Sequence, residues 1–577
     1  MVTRQHSRFV HFVLPWLVTA GAFVLFFVTR HPWMSGGSLP VIAKVTGWDW
    51  LPGQLGPAVW LVTAPVRLLP AGAQPTALNL LAALCGALSL GLLAKAVALL
   101  PHARTREQRQ REKTDFNFLS TPLAWAPPVA AALFAGLQIT WWEHATSFTG
   151  EMVNLLIFAF CVFAILRFRV ATDATADRWL LAVAFLAPLA AVGNWGMTGF
   201  LPLFLVAAIW VKGIPFFEGR FLTRGMLCAA AGFAFILFNP LLQKLHGNPA
   251  SLFQLLRIDL GMQKSVFAGF PKYLLLIFGL TSLLPALVMG LRWPSTFGDL
   301  SAAGAAVTNL LFKVIHAAFL AACVAVAFDP PFSPRALGFG LPYLPLYFLG
   351  ALSIGYFSGY LLLVLGEPSQ SRTARVSAGA EAAGRAAAWV LALGLLGGGL
   401  ALGFRNLPAL RAQNSTLLRD LGGQLAASLP AGDVAVLSDD PGLLLLATAA
   451  RAERPGAGGA TFLDTRYLPF HAYQIHLARR HAGRWPEFEL ERLSEPVPDL
   501  ALVQQVAVLS LSNRVFYLHP SFGYYFEGFH VTPAGTVFEL TRRQTTQPGP
   551  APAAAVAAHA PLWRQIRDAV SGQIGRA

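Results

Sequence analysis

Between residues 9 and 404 the chain alternates long apolar stretches with short polar breaks, eleven stretches in all, and after Arg405 the pattern stops. A helix needs about 20 apolar residues to cross about 30 Å of hydrocarbon. No water reaches the backbone there, so its polar groups must pair within the segment and each stretch is predicted as a helix. The predicted spans are 9–29, 73–99, 122–141, 151–169, 179–194, 197–213, 224–243, 271–291, 304–327, 341–366 and 386–404. The first reads as a retained span, because its apolar run is long and Trp33-Met34-Ser35 offers no small-residue cleavage site. A mean hydropathy of +0.55 with 12 % charged residues agrees with a membrane-embedded chain.

The rest of the chain has another rhythm. Residues 414–429 carry amphipathic helical spacing, 433–438 form a buried-strand run before Asp439-Asp440, 441–451 a helix, and 460–463 a strand ending at Asp464. That alternation predicts parallel strands with acids at their C-terminal ends, where open α/β sheets bind ligands. A helix at 468–481 and strands at 514–518 and 536–541 follow, with an aromatic cluster holding one acid at 518–527. Residues 545–560, rich in Pro and Ala, read as a flexible tail before a short final helix. The predicted fold is an all-α polytopic membrane bundle (1–404) with a long first outer loop (30–72), a C-terminal α/β extracytoplasmic domain (405–544) and a tail (545–577).

Charge sets the orientation. With the N-terminus in the cytoplasm, the inner loops collect 17 Lys and Arg, among them Arg104, Arg106, Arg109, Arg111 and Lys113, against eight in the outer loops. That is the positive-inside asymmetry, and an odd number of spans then puts the C-terminal domain outside the cytoplasm. Residues 1–404 carry 27 basic and 14 acidic groups, residues 405–577 carry 16 and 14. The basic pI therefore reflects inner loops facing anionic lipid, and no nucleic-acid partner is expected. The four cysteines all lie within predicted spans, which leaves no disulfide framework and no zinc spacing. No Walker loop, H-E-x-x-H or strand-linked G-x-G-x-x-G occurs, which removes ATP-driven pumping and nucleotide-cofactor chemistry in this chain.

Acids on the outer side are few: Asp49, Glu143, Glu151, Asp259 and Asp329. An ionisable group at membrane depth is costly and by default marks a function. Glu151 opens a span with Asn154 one turn on, and Trp141-Trp142-Glu143-His144 closes the span before it. Glu151 equally suits a helix N-terminus as a capping charge, and the two indoles suit an interfacial belt. In the first outer loop Asp49 lies between Trp48 and Trp50, placed to take a proton, to orient a sugar against the rings, or to cap a turn. The stretch 55–69 reads as an interfacial amphipathic helix with Arg67 snorkelling. Asn194-Trp195 interrupts the next span end on the same side, and Arg335 is the one cation of its outer loop. Its guanidinium suits bidentate capture of a phosphate or an ordinary loop role. The loop at 244–272, with Lys244, His246, Arg257, Lys264 and Lys272, is a second candidate for an anionic headgroup.

Four stretches carry a resemblance: W-L-P-G-Q-L-G-P at 50–57, the R-L-L-P-A-G and N-L-L-A-A-L-C-G-A-L segments after it, W-W-E-H-A-T-S-F-T-G-E-M at 141–152, and A-V-G-N-W-G-M-T at 191–198. In order and spacing they resemble a large family of multi-pass proteins related to the protein O-mannosyltransferases of the GT-C glycosyltransferase superfamily. The resemblance implies that Glu151 matches the family's acid and Asn194 a polar span end. It also exposes a departure. The family's Asp-x-Gly-Glu signature in the first outer loop is here Ser35-Gly36-Gly37-Ser38, and its H-P-P-G is W-L-P-G, with Trp50 in place of the His.

The function this implies is transfer of a sugar from a polyprenyl-phosphate-linked donor to a protein or glycan acceptor hydroxyl at the outer face of the membrane. Asp49 and Glu151 are the expected catalytic residues. Trp48, Trp50, Glu143, His144, Asn154, Asn194, Trp195 and Arg335 are the expected substrate contacts, beside membrane lipid. No cofactor is firmly implied, and a divalent metal is compatible. Two other readings stand beside it. One is a degenerate relative that binds lipid-linked glycan or scaffolds an envelope assembly, supported by the lost signature acids. The other is a lipid or glycan transporter, weakened by the lack of an internal repeat.

Overall fold

The computed structural model describes residues 8–50, 55–102, 118–171, 175–245, 248, 250–269, 271–290, 302–337, 343–366, 378–454, 459–486, 495–519, 528–542 and 553–574. Residues 51–53, the basic run at 104–113, His246, Arg372, Arg375, residues 520–527 of the aromatic cluster and 545–552 of the tail lie outside them.

The molecule is a mostly helical, multi-pass membrane protein with a small C-terminal sheet. Its elements begin with α1 (Leu14–Val28), α2 (Leu39–Thr46), α3 (Pro57–Thr63) and α4 (Gln74–Leu99). There follow α5 (Ala126–Gly136), α6 (Ile139–Thr146), α7 (Glu151–Val170) and α8 (Asp177–Gly193). Later come α9 (Leu344–Gly366) and α10 (Ala378–Gln413). Among the described residues seven helices are long and apolar enough to cross a membrane: Phe9–Val28, Ala71–Leu99, Glu151–Val170, Gly219–Leu245, Leu310–Ala327, Leu344–Leu365 and Glu381–Ser428. The predicted count of eleven is not confirmed. The other four expected spans are short or interrupted, for identifiable reasons. The 122–141 stretch breaks between α5 and α6, where Gln138 turns to an extended backbone and its side chain caps α6 by accepting from Trp141 N at 2.9 Å. α8 carries Pro188 in its interior, residues 197–213 divide between Trp195–Thr198 and Leu201–Lys212, and 271–291 contains a π-turn at Gly279–Leu283.

α4 and α9 are buried through most of their length and form the centre of the bundle, while α1 turns Trp16, Leu17 and Val28 outward. The 244–272 loop is in fact helical over Leu252–Gly269, where Asp259 lies buried.

The C-terminal domain is an α/β unit. Strands β1 (Val434–Ser438), β2 (Ala460–Asp464), β3 (Arg514–Tyr517), β4 (Phe529–Ala534) and β5 (Val537–Arg542) form one sheet in the order β2-β1-β3-β5-β4. β1 runs parallel to β2 and β3, with Ser438 opposite Asp464, and β5 pairs antiparallel with β3 and β4. The parallel pair and its acidic ends are as expected. Strand β4 and the helix Asp499–Ser512 are additions to the sequence reading, and the final helix, Ala553–Ile574, is long and begins inside the expected tail. Helices α11 (Pro441–Ala452) and α12 (His471–Arg480) flank the edge strand β2.

Bundle and domain share one core cluster, which takes in Trp33, Ile42 and Val59 from the first outer loop and Leu444, Leu446 and Val436 from the domain. Asn414 donates to Thr29 O at 2.7 Å and Trp33 Nε1 to Glu453 Oε1 at 2.5 Å, so polar pins cross the same junction.

Candidate functional site

Glu151 is the first residue of α7 and follows Gly150, whose φ of +80° is a left-handed conformation that glycine adopts without strain. The half-buried carboxylate accepts a hydrogen bond on Oε2 from Asn194 Nδ2 at 2.8 Å. Asn194 ends α8 and caps the next short helix by accepting from Gly196 N at 2.9 Å, so both of its side-chain atoms are committed and its amide is held in place. Among the described residues Oε1 of Glu151 has no such partner. The roof over this pair is α3. An added Cβ at Gly150 would lie 3.4 Å from the Val59 side chain, and one at Gly56 only 2.8 Å from Gly193 Cα. Asn154 is buried one turn into α7, and Trp195 opens the short helix Trp195–Thr198.

A second polar group gathers around Arg335. Its guanidinium grips Glu143 through two hydrogen bonds, of 2.6 and 2.8 Å, and reaches Thr140 Oγ1 at 3.1 Å. Its backbone N–H donates to the Tyr347 hydroxyl at 3.0 Å, and that hydroxyl donates to Asp329. Gln138 Nε2 donates to the other Asp329 oxygen at 2.7 Å. Burial pushes the Asp329 carboxyl above its ordinary range, and the bonds from Tyr347 and Gln138 act against it. The hydrogen bonds to Glu143 hold the Arg335 guanidinium above its own range. His144 is displaced to about 4 by burial and then by the Arg335 charge, so its imidazole is neutral, and its Nδ1 meets Thr149 Oγ1 at 2.5 Å. Trp141 and Trp142 are buried, not interfacial, and Trp142 Nε1 donates to Thr29 Oγ1 at 2.9 Å.

The signature window of the first outer loop holds a knot of hydroxyls. Ser35 Oγ lies 3.2 Å from Ser38 Oγ and 2.8 Å from Ser147 Oγ, just beyond α6. Asn79 fastens the same region from α4, donating to His31 O and Trp33 O and accepting from Phe148 N. Burial takes His31 down to about 4.

Asp49, Trp48 and Trp50 go elsewhere. Gly47, at φ +80°, ends α2 and turns the chain so that Trp48 N and Asp49 N both donate to Ala43 O. The turn faces the C-terminal domain, where all three residues line a cavity of about 470 Å³ together with Asp464, Tyr467 and Arg480. Among the described residues that cavity does not include Glu151. The structure thus brings Glu151 to Asn194 and Glu143 to Arg335, but sets Asp49 with the domain. Among the described residues no three His, Cys, Asp or Glu side chains gather as a site for a metal ion.

Of the domain side of the cavity, sequence reasoning named Asp464 and missed Arg466, Tyr467, Tyr473 and Arg480. Only the acid at the end of a predicted strand gave a signal for it.

No curated protein matches the chain. One family model does match, and its stretch covers Glu143, His144, Glu151, Asn154, Asn194 and Trp195 but not Ser35, Asp49 or Arg335. Residues 52–213 are similar to the protein O-mannosyl-transferase TMEM260 N-terminal domain, which fits the O-mannosyltransferase-related family that the sequence resembles.

Proposed function

We propose that this protein is a membrane glycosyltransferase of GT-C type, moving a sugar from a polyprenyl-phosphate-linked donor to an acceptor hydroxyl at the outer face of the membrane. The observation that carries this reading is Glu151, a half-buried carboxylate fixed through one oxygen by Asn194 inside the stretch similar to a mannosyl-transferase domain. A general base must be held within reach of the proton it takes while keeping an oxygen for it. In this scheme the acceptor oxygen attacks the anomeric carbon from the face opposite the phosphate and its proton passes to Glu151. The bond from the anomeric carbon to the phosphate oxygen breaks as the new glycosidic bond forms, and its electron pair leaves with the phosphate. Arg335, fixed on Glu143 of the preceding helix, is the cation assigned to that phosphate, and taking it up means opening the pair with Glu143. Neutral His144 and buried Asn154 lie on the same pair of helices, α6 and α7.

The test is transfer from a polyprenyl-phosphate sugar by the purified full chain. Glu151→Gln keeps the shape and the bond from Asn194 but removes the base, so transfer should fall by about 100-fold or more with the protein still folded in detergent. Transfer at the unmodified rate would refute the assignment. The hydroxyl knot of Ser35, Ser38 and Ser147 supports a second reading, a relative that binds lipid-linked glycan without transferring it. An unmodified chain that retains such a lipid and forms no product would select it.

A further inference from the structure

We propose that the cavity between the first outer loop and the C-terminal domain is a binding site for a neutral saccharide of one or two rings, separate from the Glu151 pair. At about 470 Å³ it falls within the range of small-molecule pockets, about 300–1,000 Å³.

Its walls have the two components that a sugar ring needs. The first is an aromatic platform for the C–H face. Trp50 lies 4.8 Å from the Tyr473 ring and 5.3 Å from Tyr467, and Tyr473 stacks on His476 with an interplanar angle of 10°. The second is a rim of charged hydrogen-bonding groups for the hydroxyls, with Asp49 and Lys44 from the loop and Asp464, Arg466 and Arg480 from the domain. Two acids face three cations there, and four of these five charges are matched locally. Arg466 holds Asp464 through bonds of 3.0 and 2.7 Å, and the Asp49 charge acts on Lys44. The fifth charge, on Arg480, is held against Gly47 O, so a polyol is favoured over a phosphate or a carboxylate, because an anion would have to break a matched pair to gain more than that one cation.

An independent observation points to an occupant. Trp50 Nε1 is a buried donor with no acceptor among the described residues, in a chain segment whose ring lines the cavity. A buried donor left unpaired is costly, and a hydroxyl on a bound ring is the kind of group that satisfies it. The site is also joined across two parts of the fold. Arg480 donates to Gly47 O at 3.2 Å, tying α12 to the turn that presents Asp49. Edge strand β2 contributes Ala460, Phe462 and Asp464, alternate residues on one face.

The proposal rests on the transfer reading only for the choice of mannose as probe. The experiment uses the full chain in lipid nanodiscs with no donor lipid, with methyl α-mannoside and α-mannobiose as probes. Binding is followed by saturation-transfer NMR and tryptophan fluorescence. Saturable binding of one probe is expected, weakened by about tenfold or more in Asp49→Asn and in Tyr467→Ala. Trp50→Phe, which keeps an aromatic ring of smaller size and removes the unpaired donor, should bind measurably but more weakly than the unmodified chain. No binding of either sugar, undiminished binding in Asp49→Asn and Tyr467→Ala, or selective binding of a Ser/Thr-rich peptide instead would each overturn the proposal. Transfer without saccharide binding removes this site and leaves the Glu151 reading intact. Binding without transfer does the reverse.

Discussion

His144 shows how a single side chain takes its chemistry from its surroundings. In the sequence it stands beside Glu143 and invites an acid–base role. In the structure Glu143 is committed to Arg335, and burial, with that cation as the smaller second cause, keeps the imidazole neutral. Its folded value of about 4 lies below the ordinary 6.5, so the unfolded chain takes up a proton first as pH falls. The stability this gives is fully present above pH 6.5 and is lost as pH drops through about 4. Histidine-labelled NMR should accordingly find the His144 resonance, assigned with His144→Asn, unmoved between pH 8 and pH 5. A midpoint near 6.5 would contradict the burial and the charge described here. Glu151 is the counterpart, a residue singled out at this scale because it starts an apolar run, where a carboxylate needs a reason to be.

Among elements, the approach of α3 to the end of α8 decides the shape of the candidate site. Gly56 and Gly193 meet backbone to backbone, and a Cβ on either would come within 2.8 Å of the other's Cα. Gly193 directly precedes Asn194, so any shift of α8 there moves the amide that holds Glu151. Gly193→Ala should destabilise the protein by about 1–3 kcal/mol, the usual cost of overpacking a close contact. It should also depress transfer beyond what the lost stability explains. Thermal unfolding in detergent, read beside the transfer rate, checks both, and an alanine tolerated in stability and rate alike would show the contact to be loose. The break between α5 and α6 belongs to the same scale. Gln138 caps a new helix inside what hydropathy reads as one span, and thereby turns Trp141 and Trp142 into the core and Glu143 toward Arg335. Average apolarity along a window does not register a cap, which is why that span was drawn unbroken.

Across the whole molecule, segments that the charge pattern assigns to the outer side do meet: Glu143 with Arg335, Glu151 with Asn194, Trp33 with Glu453. On the opposite side Lys212 pairs with Asp177 and Arg169 reaches Leu99 O. The orientation that follows from the positive-inside rule is testable by labelling. With the native cysteines replaced, single cysteines at exposed Ala431 and Leu500 of the domain should react with a membrane-impermeant maleimide in intact cells, and one at Arg8 only after permeabilisation. The reverse pattern would invert the topology and move the site to the cytoplasmic face.

The sequence by itself determined the solvent, the helical nature of the membrane part, the α/β character of the last third and the prominence of Glu151. These follow from local periodicity and from the cost of placing charge in hydrocarbon, both of which are written along the chain. What only the tertiary structure decided is which polar residues become partners. Asp49 and Glu151 look equivalent as outer-side acids, yet the turn at Gly47 gives one to the C-terminal domain and the contact at Gly193 gives the other to Asn194. Partnership depends on how helices and domain pack over hundreds of residues of separation, and no window of sequence contains that geometry.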